Sequence, residues 1–480
     1  MRSGKHRPPG PRRLPLLGNM IQIAKANPFF SHLAFHKLSE KFGGLMRLKV
    51  GFQDVVVVSD FKIMQDMLAK DVFSGRHFEG YMKERSFKKD LGIIFTSGEM
   101  WNVLRKFTVK NLRDYGFGRK QTMENTISGE VKQFLTYLKS SLANSNNNSL
   151  RVERLFHLSL LNVLWSMVGG KTFSHDDPQL LRLLKINEDL MKTGNFGANL
   201  AFAFPLLAVY LPSYTGIADQ RKFNGTFQEY IREIFAEHRR NGKFASQPSS
   251  FIDACLTEIE KNAHNPSSYM QEEQLLITII DLFQVGSETT GNTLSYAILF
   301  MVLYPQVQQN VFEEINSAFP GDSLPTYEDR TLLPYTEATI LETLRLGNVV
   351  PLPPPRKAMS SCSYAGYFFP KETIVTMNFY SALMDEKYWE DPYNFRPERF
   401  LDSSPNFLDK RKRVEQVFGF GKRICVGEDL AKMSLFLYFS ACIKNFDFKR
   451  DISEPTPSMV PLPGFILSPQ SFTALVSSRQ

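Results

Sequence analysis

Apolar residues change their period several times along the first seventy positions. "FFSHLAFHKLSEKFG" (29–43) spaces them as one face of a helix. "LMRLKVG" (45–51) and "DVVVVSD" (54–60) alternate or run on as strands do, and "FKIMQDMLAK" (61–70) returns to helical spacing. From Trp101 to about Lys261 the pattern is helical almost throughout. Residues 271–305 then form a helix-like run of more than 30 residues, far above the usual helix length. It is apolar on most sides, which predicts a helix crossing the core. Gly286 and the Thr289–Thr290 pair sit in its middle, where such residues weaken a helix, so a functional distortion is expected there. The pattern continues with a short helix around Tyr335–Arg345, a proline run, strands near "YAGYFFP" and "ETIVTMNFY", irregular chain to Phe420, and a last helix from about Gly427 to Lys444. These elements predict a mainly α fold with small β-sheets.

Composition adds little to that picture. No break in it divides the 480 residues, so 1–20 reads as a basic, proline-rich hinge and stiff connector, and 21–480 as a single domain. A net charge of +8 suits an acidic partner, anionic lipid or a plain basic surface, and no nucleic-acid partner is expected. Four scattered cysteines are too few for a disulfide framework and favour a reducing compartment. The sequons at Asn147 and Asn224 read as accidental in a chain facing the cytosol. The start has no apolar run of the roughly 20 residues a membrane span needs. Phe196–Leu211 reads either as a buried helix end and loop or as a segment dipping into one leaflet.

The densest chemistry lies in "FGFGKRICVG" (418–427). A phosphate loop fails here, because Arg423 follows Gly421-Lys422 and Gln416 stands in place of the first glycine. A dinucleotide fingerprint fails at Ile424. A cysteine nucleophile wants a histidine base, and all eight histidines lie upstream, so that reading rests on tertiary contacts. Zinc would need further cysteine or histidine ligands nearby. A buried free cysteine leaves the flanking glycines unexplained. A metal held by a single thiolate accounts for more. Glycines at 421 and 427 admit a flat macrocycle, backbone N–H groups and a following helix stabilise the thiolate, and Arg423 neutralises a macrocycle carboxylate. That describes haem with a proximal cysteine.

Phe418-x-x-Gly421-x-Arg423-x-Cys425-x-Gly427 resembles the haem-binding signature of the cytochrome P450 monooxygenases. Five fixed positions recur by accident in roughly one chain in 10⁴ or fewer, and the rest of the chain agrees in order. Glu342-x-x-Arg345 resembles the family's E-x-x-R. Glu229–Arg232 and Glu237–Arg240 match it too, but only Glu342 precedes a proline-rich strand entry and the "FRPERF" at 395–400. The resemblance implies a Glu342, Arg345 and Arg399 cluster that fixes the loop leading to the haem. It makes Trp101, Arg105, Arg356 and Arg423 candidates to hold the haem propionates. Val285-Gly286-Ser287-Glu288-Thr289-Thr290 resembles the oxygen-binding motif, with Glu288 and Thr289 relaying protons and Val285 standing where the family carries Ala or Gly. "FSGR" (73–76), "GIIFTSGEMW" (92–101) and "CVGEDLAKMSLFLYF" (425–439) look like the microsomal animal branch.

The resemblance implies the cytochrome P450 fold, with the long helix crossing the haem, and a haem b cofactor with Cys425 as axial ligand. It implies a monooxygenase inserting one oxygen atom from O₂ into a lipophilic small molecule. Electrons would come from NADPH through a separate NADPH-cytochrome P450 reductase, because the chain has no flavin or nicotinamide motif of its own. Lys410, Arg411, Lys412, Arg413, Lys422 and Lys106 would steer that reductase. The rivals are a haem-thiolate isomerase or dehydratase needing no external electrons, and a non-catalytic haem binder. Leu91, Val285, Pro354 and Phe465 are expected in the substrate pocket. The chain is expected to be a monomer on the cytosolic face of the endoplasmic reticulum membrane, its N-terminal anchor not present in this sequence. Phe196–Leu211 would rest on that membrane.

Overall fold

The long apolar run forms one unbroken helix, Glu272–Leu303, in the computed structural model, which describes residues 6–77, 80–144, 148–193, 200–401 and 407–479. No distortion interrupts it at Gly286 or Thr289. The glycine is there for packing, since a Cβ on Gly286 would meet Leu164 Cδ2 at 2.4 Å. The threonines turn their hydroxyls back onto the helix, Thr289 Oγ1 donating to the Val285 carbonyl (3.1 Å) and Thr293 Oγ1 to the Thr289 carbonyl (2.8 Å). We call this the central helix. His157–Val168, Ile217–Asn241, Pro334–Gly347 and Glu428–Asn445 pack around it, which is why it carries apolar residues on every side.

A five-stranded sheet flanks the helices in the order Leu45–Val50, Gln53–Val58, Ile374–Met377, Arg356–Lys357, Gly75–Arg76. Gln53–Val58 runs parallel to Ile374–Met377, with Val57 opposite Thr376, and the other pairs are antiparallel. This mixed sheet joins residues some 300 apart in sequence, so it brings the "FSGR" segment beside the segment after the proline run. A smaller sheet joins Ser149–Arg151, Thr473–Ser478 and Phe446–Arg450. The "YAGYFFP" region is a hairpin of Cys362–Tyr364 with Tyr367–Phe369. Its two-residue turn, Ala365-Gly366, has φ of 48° and 79°, as the tight turn of a twisted hairpin requires.

The proline-rich start is docked, not a free spacer. Arg47 N donates to the Pro9 carbonyl (2.7 Å), and Asn19 N to the Lys49 carbonyl (2.6 Å). A Cβ on Gly10 would meet the Arg47 carbonyl at 2.0 Å, so glycine permits this approach. Of Phe196–Leu211, residues 196–199 lie outside the described residues. Leu200–Ala203 and Pro205–Tyr210 are short helices; Ala201, Phe202 and Ala203 are buried, whereas Leu206, Val209 and Tyr210 are exposed. Among the described residues no helix is long and apolar enough to cross a membrane. Asn224 is buried, and Asn147 lies outside the described residues.

Candidate active site

Cys425 sits two residues before the N-cap of Glu428–Asn445. Its backbone N–H donates to the Phe418 carbonyl (2.8 Å), closing the signature loop on itself. The thiol retains accessible surface, yet burial is the largest influence on its pKa and pushes it up. The two agree if the sulfur faces an internal space instead of bulk water. The Gly427 N–H and the Arg105 charge act the other way and favour the thiolate, while Glu428 opposes it. Of the two glycines, Gly427 lies against the sulfur, a Cβ there standing 3.9 Å from Sγ. Gly421 has a packing role of its own. Its φ is +69° and a Cβ would meet the Leu68 carbonyl at 2.4 Å, so it lets the loop pack on Phe61–Ala69.

Four arginines converge beside this loop. Arg423 Nε and Nη2 donate to the Ser74 and Thr96 carbonyls (3.0 and 2.6 Å), leaving Nη1 buried and without a partner among the described residues. Arg105 Nη2 donates to the Ile424 carbonyl (2.9 Å). Arg76 Nη1 donates to the Pro354 carbonyl (2.6 Å), and Arg356 pairs with Arg76 across the sheet. Trp101 is the platform: the Arg423 guanidinium lies 3.7 Å and the Arg105 guanidinium 5.5 Å from its ring centroid. Burial first, then mutual repulsion, pulls Arg423 down to about 8, Arg76 down to about 10 and Arg356 far below its ordinary value. None of the four forms an ion pair among the described residues. Buried cations without anions are costly, so this donor set fits a dicarboxylate such as the two propionates of haem. The sequence marks Arg76 only as the end of the "FSGR" segment and gives it no role; the pairing of Gly75–Arg76 with Arg356–Lys357 brings it here.

Within the central helix, every residue from Gln274 to Val302 is buried except Val285, Gly286 and Thr289. These three are half-buried and form one strip on a helix that packs against the helix following Cys425. Glu288 points elsewhere. It is 2% exposed, accepts from Asn187 Nδ2 (3.2 Å), and lies 3.6 Å from His157 Nε2. Asn187 and His157 come from distant helices, and no local spacing marks either.

Glu342, Arg345 and Arg399 meet as expected. Arg345 donates to both Glu342 oxygens (2.7 Å each), and Arg399 Nε to Oε1 (3.0 Å). Their remaining donors reach the Leu383, Pro392 and Trp389 carbonyls, so the cluster pins the chain that leads to Cys425. All three side chains are almost fully buried.

Leu91, Val285, Pro354 and Phe465 are all half-buried. Leu91 belongs to a segment fastened to the central helix by Asp281, which accepts from Ile93 N (2.7 Å) and Ile94 N (3.1 Å) and pairs with Arg85. Phe465 N donates to the Met191 carbonyl (2.8 Å). The basic run is less free than its sequence suggests. Arg411 pairs with Glu337 and Glu415, Arg413 with Asp385, and Lys422 with Asp71, while Lys410 donates to the Arg399 carbonyl. Lys106 and Lys412 are exposed and outside any ion pair among the described residues.

A thiol-bearing loop, an arginine cluster seeking a dianion and an opposed helix strip define a haem-thiolate protein of mainly α fold. A family model described as Cytochrome P450 matches residues 8–476, and the chain belongs to that family. Farnesoate epoxidase of Bombyx mori is 31% identical over 484 residues, covering 100% of this chain and 96% of that protein. Cytochrome P450 2D10 of Rattus norvegicus is 33% identical over 461 residues, covering 94% of this chain and 88% of its own. Cytochrome P450 2B4 of Oryctolagus cuniculus is 34% identical over 464 residues, with the same two coverages. The chain is accordingly a haem-thiolate monooxygenase, an oxidoreductase that uses haem b, O₂, an organic substrate and a redox partner. The isomerase and non-catalytic readings are not favoured.

Proposed function

We propose that Cys425 is the axial ligand, that Arg76, Arg105, Arg356 and Arg423 neutralise the propionates with Trp101 beneath them, and that Glu288 and Thr289 deliver protons. The observation that carries this reading is the convergence of four arginines, unpaired with any acid among the described residues, on the cysteine loop. The bound cofactor would supply activation of dioxygen. Overall, RH + O₂ + 2 H⁺ + 2 e⁻ gives ROH + H₂O. Thr289 lies on the open strip, where its hydroxyl can orient a water. Glu288, one residue earlier, is turned into the protein and acts as the proton reservoir behind it.

The electrons come from NADPH through a reductase that docks on the face bearing Lys106 and Lys412. Charge reversal at both is expected to weaken reductase binding at low salt and to have little effect at high salt. The apolar residues Leu206, Val209, Tyr210, Leu211 and Tyr214 rest on the endoplasmic reticulum membrane, at its cytosolic face. Exposed Phe52 extends this patch through its edge-on contact with Phe204 (5.7 Å between centroids).

The substrate is a lipophilic small molecule, because Leu91, Val285, Pro354 and Phe465 offer no charge. The full-length likeness to farnesoate epoxidase makes farnesoate the first compound to test. Purified protein with reductase, NADPH and O₂ is expected to form an oxygenated product from it, and no product without NADPH. Product formation independent of NADPH and reductase would contradict the monooxygenase assignment.

A further inference from the structure

The central helix carries a second glycine that the oxygen-binding strip does not use. A Cβ on Gly291 would come within 2.8 Å of the His157 ring, so the glycine lets that imidazole lie directly on the helix. His157 opens His157–Val168 and is 2% exposed. Its Nε2 lies 3.2 Å from Asn292 Oδ1 and 3.6 Å from Glu288 Oε2, and its Nδ1 is buried with no hydrogen-bond partner among the described residues. A cavity of about 20 Å³ adjoins His157, Asn292 and Ser295, with Arg154, Glu188 and Gln470 also lining it. That is room for one water, and the lining is polar enough to hold it. The Arg154 side chain is 36% exposed, so this wall reaches solvent.

We propose that His157 relays protons from solvent, through this cavity, to Glu288. The inference rests on Glu288 being the acid that serves Thr289. A carboxyl that gives up a proton in each turnover must be reprotonated, and at 2% exposure Glu288 has no direct access to water. His157 is the one basic group within 4.0 Å of it among the described residues. Asn187, its other neighbour, does not titrate. Water in the cavity protonates the imidazole, the imidazole passes a proton to Glu288, and the ring returns to its neutral form. Electrons arrive separately, from the reductase. The charged groups around the cavity are Glu153, Arg154 and Glu188, the last held by Lys185 and Lys192, with Glu288 on the inner side. The competing role for His157 is to hold the Glu288 side chain in place without moving protons.

The test uses the haem-loaded enzyme with its reductase. H157Q keeps a polar side chain but cannot titrate. It is expected to lower kcat about tenfold or more, to raise the solvent isotope effect on kcat, and to leave the spectral dissociation constant of substrate unchanged. S468F places a ring among the residues lining the cavity while leaving His157 intact, and is expected to act in the same direction. A readout independent of turnover is the infrared carboxyl band of Glu288, identified by its absence in E288Q. Its exchange with D₂O is expected to slow in both variants. If H157Q and S468F keep wild-type kcat and exchange while E288Q is slow, the route is wrong and the acid assignment stands. If E288Q is also unimpaired, the acid assignment itself falls. A drop in kcat matched by equal loss of haem or substrate binding would make His157 a packing residue.

Discussion

Arg76 and Arg356 stand opposite each other across two antiparallel strands, and neither meets a carboxylate among the described residues. Like charges in that register repel, and burial magnifies the cost. Arg356→Leu is therefore expected to stabilise the haem-free protein by about 1 kcal/mol, read as a higher urea midpoint. The same change should speed haem loss from the loaded protein. A variant less stable in both states would mean that the arginines are held by protein contacts alone.

Replacing the proposed axial sulfur gives a sharper spectroscopic outcome. Cys425→Ser should abolish the strongly red-shifted Soret band of the reduced, CO-bound protein. Cys255, Cys362 and Cys442 should each be replaceable by alanine without losing it. Cys255 and Cys442 are buried, so their replacements should lower the melting temperature but not the band.

The Glu342 cluster should respond to loss of one partner far more than to loss of a charge pair. Glu342→Gln leaves Arg345 and Arg399 buried and short of an anion, at an expected cost of about 3–5 kcal/mol. The soluble yield of haem-loaded protein measures this. Glu342→Leu combined with Arg345→Leu should recover part of the loss, since an apolar replacement removes the stranded charge.

Acid sensitivity should have a component from His32. Burial, with help from His36, lowers its pKa to about 3 from an ordinary 6.5, so it is neutral in the folded state. The folded value lies below the unfolded one. Stability is therefore full above about pH 6.5 and falls as pH drops from there towards 3, where the unfolded chain binds the extra proton. Between pH 7 and pH 5 the loss is about 2 kcal/mol. His32→Gln should flatten that part of the pH profile in urea titrations, and an unchanged slope would exclude His32 as its source.

Val285 occupies the open strip, so its bulk should restrict the pocket. Val285→Ala is expected to broaden the set of ligands that shift the haem spectrum and to move the site of oxidation. It should increase peroxide release less than Thr289→Ala does. Unchanged ligand range and regiochemistry would make the valine a packing residue.

Much of this was legible because the relevant contacts are local or repeat at helical spacing. The central helix, the signature loop and the last helix follow from periodicity and from glycines at fixed offsets. Glu342 and Arg345 lie three residues apart on one helix. The rest depends on contacts between distant segments. Arg76 becomes a site residue only through strand pairing, and His157 only because a glycine 134 positions later leaves room for its ring. The run Lys410–Arg413 read as a free basic patch because two of its acids, Glu337 and Asp385, lie on other elements. Gly286 reads in the sequence as a weak point of the helix and Gly421 as room for a macrocycle; each is needed for close packing, against Leu164 and Leu68 respectively.

A helix buried on all sides but one strip leaves little room for adaptation. Of the three half-buried positions between Gln274 and Val302, Gly286 is closed to any side chain by Leu164, and Thr289 is the residue proposed to orient a water. With the proposed pocket, Val285 is then the position of that strip where a substitution is expected to retune selectivity without rebuilding the core. Larger changes of substrate are expected to fall to the other proposed walls, around Leu91, Pro354 and Phe465, where loops tolerate substitution.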